Sequence, residues 1–172
     1  VMPRGSGQLL LPVNPLFMAL TLALAFGFNL LSVGRHAAAP DLLAVVLVFW
    51  NVHQPRRVSV GLSFLFGLLM DVHEAALLGQ HALAYTLLSY AAITVHRRLL
   101  WFGLAEQTLQ VLPLFVMATL VSLGVRMAVG GMFPGWSIIF SPLLDALLWP
   151  LATWTLLAPQ RRPPDPDKHR PL

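Results

Sequence analysis

Three carboxylates, Asp41, Asp71 and Asp145, stand inside or at the edge of long apolar stretches, and they are the residues from which chemistry would have to come. Two such acids, Asp71 and Asp145, one protonated and one ionised, could act as general acid and base. Nothing else in the chain supports a reaction. His73-Glu74-Ala75-Ala76-Leu77 opens like the helical zinc-protease motif, but Leu77 stands where the second metal-binding His belongs. There is no glycine-rich phosphate loop and no serine in a nucleophile elbow. The chain has no cysteine, which excludes a disulfide framework, cysteine-ligated zinc, iron–sulfur clusters and thiol nucleophiles. Gln80-His81 reads as a polar contact at a helix end. The expectation is a protein that is not an enzyme, with no catalytic residue, no metal and no cofactor.

The elements that position these acids follow from composition. Of 172 residues, 57% are hydrophobic and 10% charged, whereas a soluble domain carries about 25% charged residues. Too few polar groups remain to cover a particle in water, and apolar runs of about 20 residues indicate membrane helices. The fold class expected is an all-α integral membrane protein with six transmembrane helices, in a single membrane domain over residues 1–158 followed by a disordered cytoplasmic tail, 159–172. The spans fall at about Val13–Val33, Pro40–Val52, Val58–Ala76, Gly79–Val95, Glu106–Ala128 and Ser137–Leu157. The first apolar run is longer than the core of a secretory signal, about 7–15 residues, and Gly34-Arg35-His36 is a poor cleavage site, so a retained span is expected. The second span is too short to cross about 30 Å upright. It must be tilted, extended into its flanks or partly re-entrant. Its outer end, at Asp41, should be drawn inward or held by neighbours, which leaves a recess in the outer half next to the Ser63, Gly67 and Asp71 face.

Charge sets the orientation. With the N-terminus inside, Arg4, Arg56, Arg57, Arg97, Arg98, Arg161, Arg162, Lys168 and Arg170 lie on the inner side, and Arg35 and Arg126 on the outer side. Nine against two places both termini in the cytoplasm. Basic residues clustered between apolar runs point to membrane topology and anionic lipid, not to nucleic acid. Trp101, Trp136, Trp149 and Trp154 near span ends suggest an aromatic belt. Asp41, Asp71, Arg126 and Asp145 all fall in the outer half. Ser63, Gly67 and Asp71 share one face of the third span, Ala82, Thr86 and Ser89 one face of the fourth, and Ala118, Ser122 and Arg126 one face of the fifth. Such faces let helices approach closely. The charges between them form either a small outward-facing polar cavity or structural ion pairs, with Asp71 paired to Arg126 and Asp145 as the competing partner.

Pro40-Asp41-Leu42, Val48-Phe49-Trp50 and Pro55-Arg56-Arg57-Val58 resemble the signature region of the rod shape-determining MreD family. The likeness continues through Gly61, Gly67, Asp71, Leu78-Gly79, Leu83-Ala84 and Tyr90, and resumes at Gln107 and Leu147-Leu148-Trp149-Pro150. Two departures are Phe49, where the family often has Tyr before the Trp, and His73-Glu74, where small residues are more usual. The resemblance implies a non-enzymatic membrane scaffold of the cell-wall elongation complex in the bacterial inner membrane. It implies binding to the bitopic protein MreC and, through it, links to MreB, RodA and a penicillin-binding transpeptidase. It also implies a fold like the substrate-binding component of energy-coupling-factor transporters. The competing readings are a substrate-binding transporter component and a lipid-modifying enzyme. The candidate structural or partner-binding residues are Asp41, Trp50, Pro55, Arg57, Gly67, Asp71, Arg126, Asp145, Trp149 and Pro150.

Overall fold

Apolar runs bounded by capping residues become helices here with little displacement. The computed structural model describes residues 12–31 and 39–160. Among them are six α-helices and no strand: α1 Pro15–Leu31, α2 Leu42–His53, α3 Val60–His73, α4 Gln80–Leu99, α5 Leu104–Ala128 and α6 Phe140–Leu157. A 3-10 turn at Trp136–Ile139 leads into α6, and another at Ala158–Gln160 extends it. The expected tail, apart from Pro159 and Gln160, lies outside the described residues, as do Arg4 and Arg35.

The helix starts have local causes. Asn14 accepts the Leu16 N–H at 2.9 Å ahead of α1, with Pro15 in the first turn, where a missing N–H costs nothing. Asp41 caps α2 by accepting from Ala44 N at 2.9 Å. Ser59 caps α3 through Leu62 N. Ahead of α5, the Glu106 carboxylate accepts the Gly103 N–H at 3.3 Å. The start of α4 is different. Its cap residue is Gly79, at φ 105°, which has no side chain to offer.

α2 is the centre of the bundle. Leu43, Val45, Leu47, Val48, Phe49 and Trp50 are all fully buried, as expected of a helix apolar on every side. It packs against α1, α4 and α6, while α3, α4, α5 and α6 pack each against the next. α4 therefore lies between α3 and α5. The outer surface is apolar: Leu16, Leu20 and Leu24 on α1, Leu109 and Leu120 on α5, and Leu143, Leu147 and Leu151 on α6 are exposed. Apolar exposure on this scale marks a surface made for something other than water. Two runs of 25 residues, Leu104–Ala128 and Trp136–Gln160, are long and apolar enough to cross a membrane, and α1, α2 and α3 are apolar but shorter.

The interior is held by close approach and by polar contacts. Gly67 of α3 meets the backbone of α4 at Ala82. One helical turn away from it, Ser89 donates to Ser63 at 2.5 Å and accepts from Asn51 Nδ2 at 2.8 Å, which ties α2, α3 and α4 together. Small residues and interhelical hydrogen bonds are the forces available where the surroundings are as apolar as the side chains. The Trp assignments need one correction. Trp101, Trp136 and Trp154 are exposed, as an aromatic belt requires, but Trp149 is fully buried. It sits in the middle of α6, where its indole N–H donates to Gln107 Oε1 at 3.2 Å and its ring packs against Phe49.

Candidate functional site

α2 has 12 residues and is about 18 Å long, against about 30 Å for α4. The space above its first turn is a cavity of about 1320 Å³, ringed by the ends of the other helices. Asp41, Asn29, Tyr85, Gln80, Ser122, Arg126, Ser141 and Asp145 are among its polar lining residues. A recess is present above the short α2, and the stripe Ala118, Ser122 and Arg126 faces into it, but its wall is not the expected one, since Ser63, Gly67 and Asp71 do not line it. A second, apolar groove lies along α5 beside Pro113 and contains none of these polar groups.

Each carboxylate is held by backbone N–H groups at a helix start. Asp71, in the last turn of α3, is fully buried. Its Oδ2 accepts from Gly79 N at 2.8 Å and Ala82 N at 3.3 Å, and its Oδ1 accepts from His81 N at 2.7 Å. Asp71 thus supplies the cap that Gly79 cannot, with its charge at the positive end of the α4 dipole. His81 Nδ1 lies 2.9 Å from the same carboxylate, and its Nε2 lies 3.5 Å from Glu74.

Asp41 is the second such node. Besides Ala44 N it accepts from Asn29 Nδ2 at 2.7 Å and from the Tyr85 hydroxyl at 2.6 Å. Its own N–H donates to Asp145 Oδ1 at 2.7 Å. One residue therefore joins α1, α2, α4 and α6. Gln80 adds a bond from α4 to Ser122 of α5 at 2.9 Å.

The expected Asp71–Arg126 pair is not formed. Asp71 is enclosed by the α4 N-terminus and His81, whereas Arg126 is an exposed residue at the cavity's edge. Among the described residues neither Asp71 nor Asp145 makes a salt bridge to arginine. The physical reason is supply. Four close donors already saturate Asp71, so an arginine there would have nothing to bind. Ser63, Gly67 and Asp71 do share a face, but it is sealed against α4 instead of opening into the cavity.

The other candidates are dispersed. Trp50 is fully buried, and its indole N–H donates to Thr21 at 3.0 Å. Pro55 and Arg57 lie in the turn between α2 and α3 at the opposite end of the bundle, where Arg57 donates to the Val13 carbonyl at 3.2 Å. Pro150 lies inside α6. Asn29 and Tyr85 were missed by sequence reasoning. An N-cap acid has room for more acceptor bonds than one cap supplies, and that was the available signal. Among the described residues no group of His, Asp and Glu could hold a metal ion.

An apolar exterior, acids turned inward onto helix starts and a polar chamber at one end define an all-helical protein of membrane type. The chain belongs to the rod shape-determining protein MreD family, whose model matches residues 8–157. It is 33% identical over 129 residues to the rod shape-determining protein MreD of Haemophilus influenzae, covering 73% of this chain and 75% of that protein. No solved structure matches. Membership implies a role in rod-shape determination, in a family of structural membrane proteins that is not a known enzyme family.

Proposed function

We propose that the chain is a six-span, non-enzymatic scaffold of the cell-wall elongation complex in the bacterial inner membrane, binding MreC and supporting peptidoglycan synthesis. The observation that carries this reading is the family match across residues 8–157. The way two of the acids are used supports it, because Asp71 and Asp41 accept from helix starts and from side chains of neighbouring helices. Such groups fix helix positions. The test is genetic and biochemical. Cells depleted of the chain should lose rod shape and recover it on re-expression, and the tagged chain should co-purify with MreC from mildly solubilised membranes. Rods that persist after depletion refute the role in shape, and absence of MreC from the purified material refutes the scaffold.

Both termini are cytoplasmic in this proposal, with the cavity facing outward. Arg56, Arg57, Arg97 and Arg98 would then lie at the level of anionic headgroups, where each basic residue gains about 1 kcal/mol. Reporter fusions after Leu172 and within the Gly130–Gly135 loop should report opposite sides, cytoplasmic and outer respectively. The same side for both would eliminate six spans.

A further inference from the structure

We propose that the cavity above α2 is a binding site for a small zwitterion, a molecule carrying an ammonium group and an acid group. Asp145 is its anchor. This side chain is 3% exposed and lines the cavity. Its Oδ1 accepts from Asp41 N, while among the described residues its Oδ2 has no hydrogen-bond partner. A second carboxylate, Asp41, lies beside it, and among the described residues neither has a cationic side chain as a partner. An ionisable group at such depth needs a partner or a wet cavity, and an ammonium group supplies charge and donors together.

Arg126 sits at the edge of the same cavity, with no carboxylate bound to it among the described residues. It suits an acid group on the same molecule. The volume, about 1320 Å³, is larger than the usual range of about 300–1,000 Å³ for small-ligand sites, so it admits a molecule of this size. The chemistry fits a phosphatidylethanolamine headgroup and equally a free aminoalkyl phosphate. This inference goes beyond the scaffold reading and does not depend on it.

The experiment uses the full chain purified in detergent and titrated with O-phosphoethanolamine, ethanolamine or inorganic phosphate, following binding calorimetry and melting temperature. O-phosphoethanolamine should bind and raise the melting temperature, and the two fragments should bind more weakly. Asp145→Asn keeps an acceptor for the Asp41 N–H but loses the charge, and should weaken binding about 10- to 100-fold, the range for losing one hydrogen bond to a charged group. Arg126→Gln, on an exposed residue that leaves folding intact, should weaken O-phosphoethanolamine and phosphate but leave ethanolamine unchanged. Native mass spectrometry from phosphatidylethanolamine or phosphatidylglycerol nanodiscs separates the sources. Phosphatidylethanolamine retained by the parent chain and lost in Asp145→Asn identifies a headgroup site, and binding of the soluble probe without lipid retention identifies a free ligand. The proposal is overturned if no probe or lipid is bound, or if binding is unchanged in folded Asp145→Asn and Arg126→Gln.

Discussion

Asp71→Ala should be among the most damaging single substitutions in the chain. It removes the acceptor for three N–H groups at the start of α4, those of Gly79, His81 and Ala82, and for the His81 ring. Losing a helix cap costs about 0.5–2 kcal/mol, and the buried Ala82 N–H left without a partner adds about 1–3 kcal/mol, so the loss should be about 2–4 kcal/mol. The cap residue itself cannot take over, because Gly79 has no side chain. The measurement is thermal unfolding and folded yield in detergent. Asp71→Asn should recover part of the loss, since one oxygen remains an acceptor while the new amide faces N–H donors.

The same experiment tells capping from ion pairing. An Asp71–Arg126 pair would make the double change Asp71→Ala with Arg126→Leu less harmful than Asp71→Ala alone. The geometry instead predicts no rescue, because Arg126 lies at the cavity's edge and is not bonded to Asp71. Sites without shared partners add to within about 0.3–0.5 kcal/mol. Rescue by the arginine change would show that the carboxylate had been placed against the wrong partner.

What could be read from residues alone was the part that hydropathy controls. The fifth span was expected at Glu106–Ala128 and α5 runs Leu104–Ala128, beginning earlier because Gly103 and Glu106 close its first turn. α4 continues past the expected end at Val95 to Leu99, since Arg97 and Arg98 end an apolar run without ending a helix. The short second span and the existence of a recess were legible from length, but the wall of the recess was not, since Ser63, Gly67 and Asp71 were expected to line it and do not. The partner of Asp71 was not, because reading charges finds arginines and passes over backbone N–H groups. Gly79 ahead of a helix was the overlooked sign, a cap position that needs an acceptor from elsewhere. Trp149 was misplaced for a related reason. A tryptophan's position along a span is visible in the sequence, but its hydrogen bond to Gln107 requires knowing that α5 and α6 are neighbours.

Gly67→Ala should be nearly as harmful as the loss of Asp71, for a reason tied to it. A Cβ at Gly67 would lie 2.4 Å from Ala82 Cα, 2.6 Å from Ala82 N and 2.7 Å from the His81 carbonyl oxygen. Carbon atoms pack at about 3.5–4.0 Å, and all three neighbours are backbone, so no rotamer change relieves the contact. α3 and α4 must separate by about 1 Å to reach that spacing. Overpacking of this kind costs about 1–3 kcal/mol. Asp71 lies one turn further along the same face, and its Oδ2 bonds the same Ala82 N–H at 3.3 Å. A separation of that size takes this bond beyond hydrogen-bonding distance and weakens the cap together with the packing. The two sites are therefore coupled, and Gly67→Ala combined with Asp71→Ala should cost less than the sum of the single changes. Gly124→Ala is the control, because a Cβ there meets nothing within 4 Å. Within α5 it should be neutral, or stabilising by up to about 1 kcal/mol through helix propensity. Melting temperatures in detergent decide the matter: a Gly67→Ala protein as stable as Gly124→Ala would mean that the α3–α4 contact is not tight and that Asp71 holds α4 without its help.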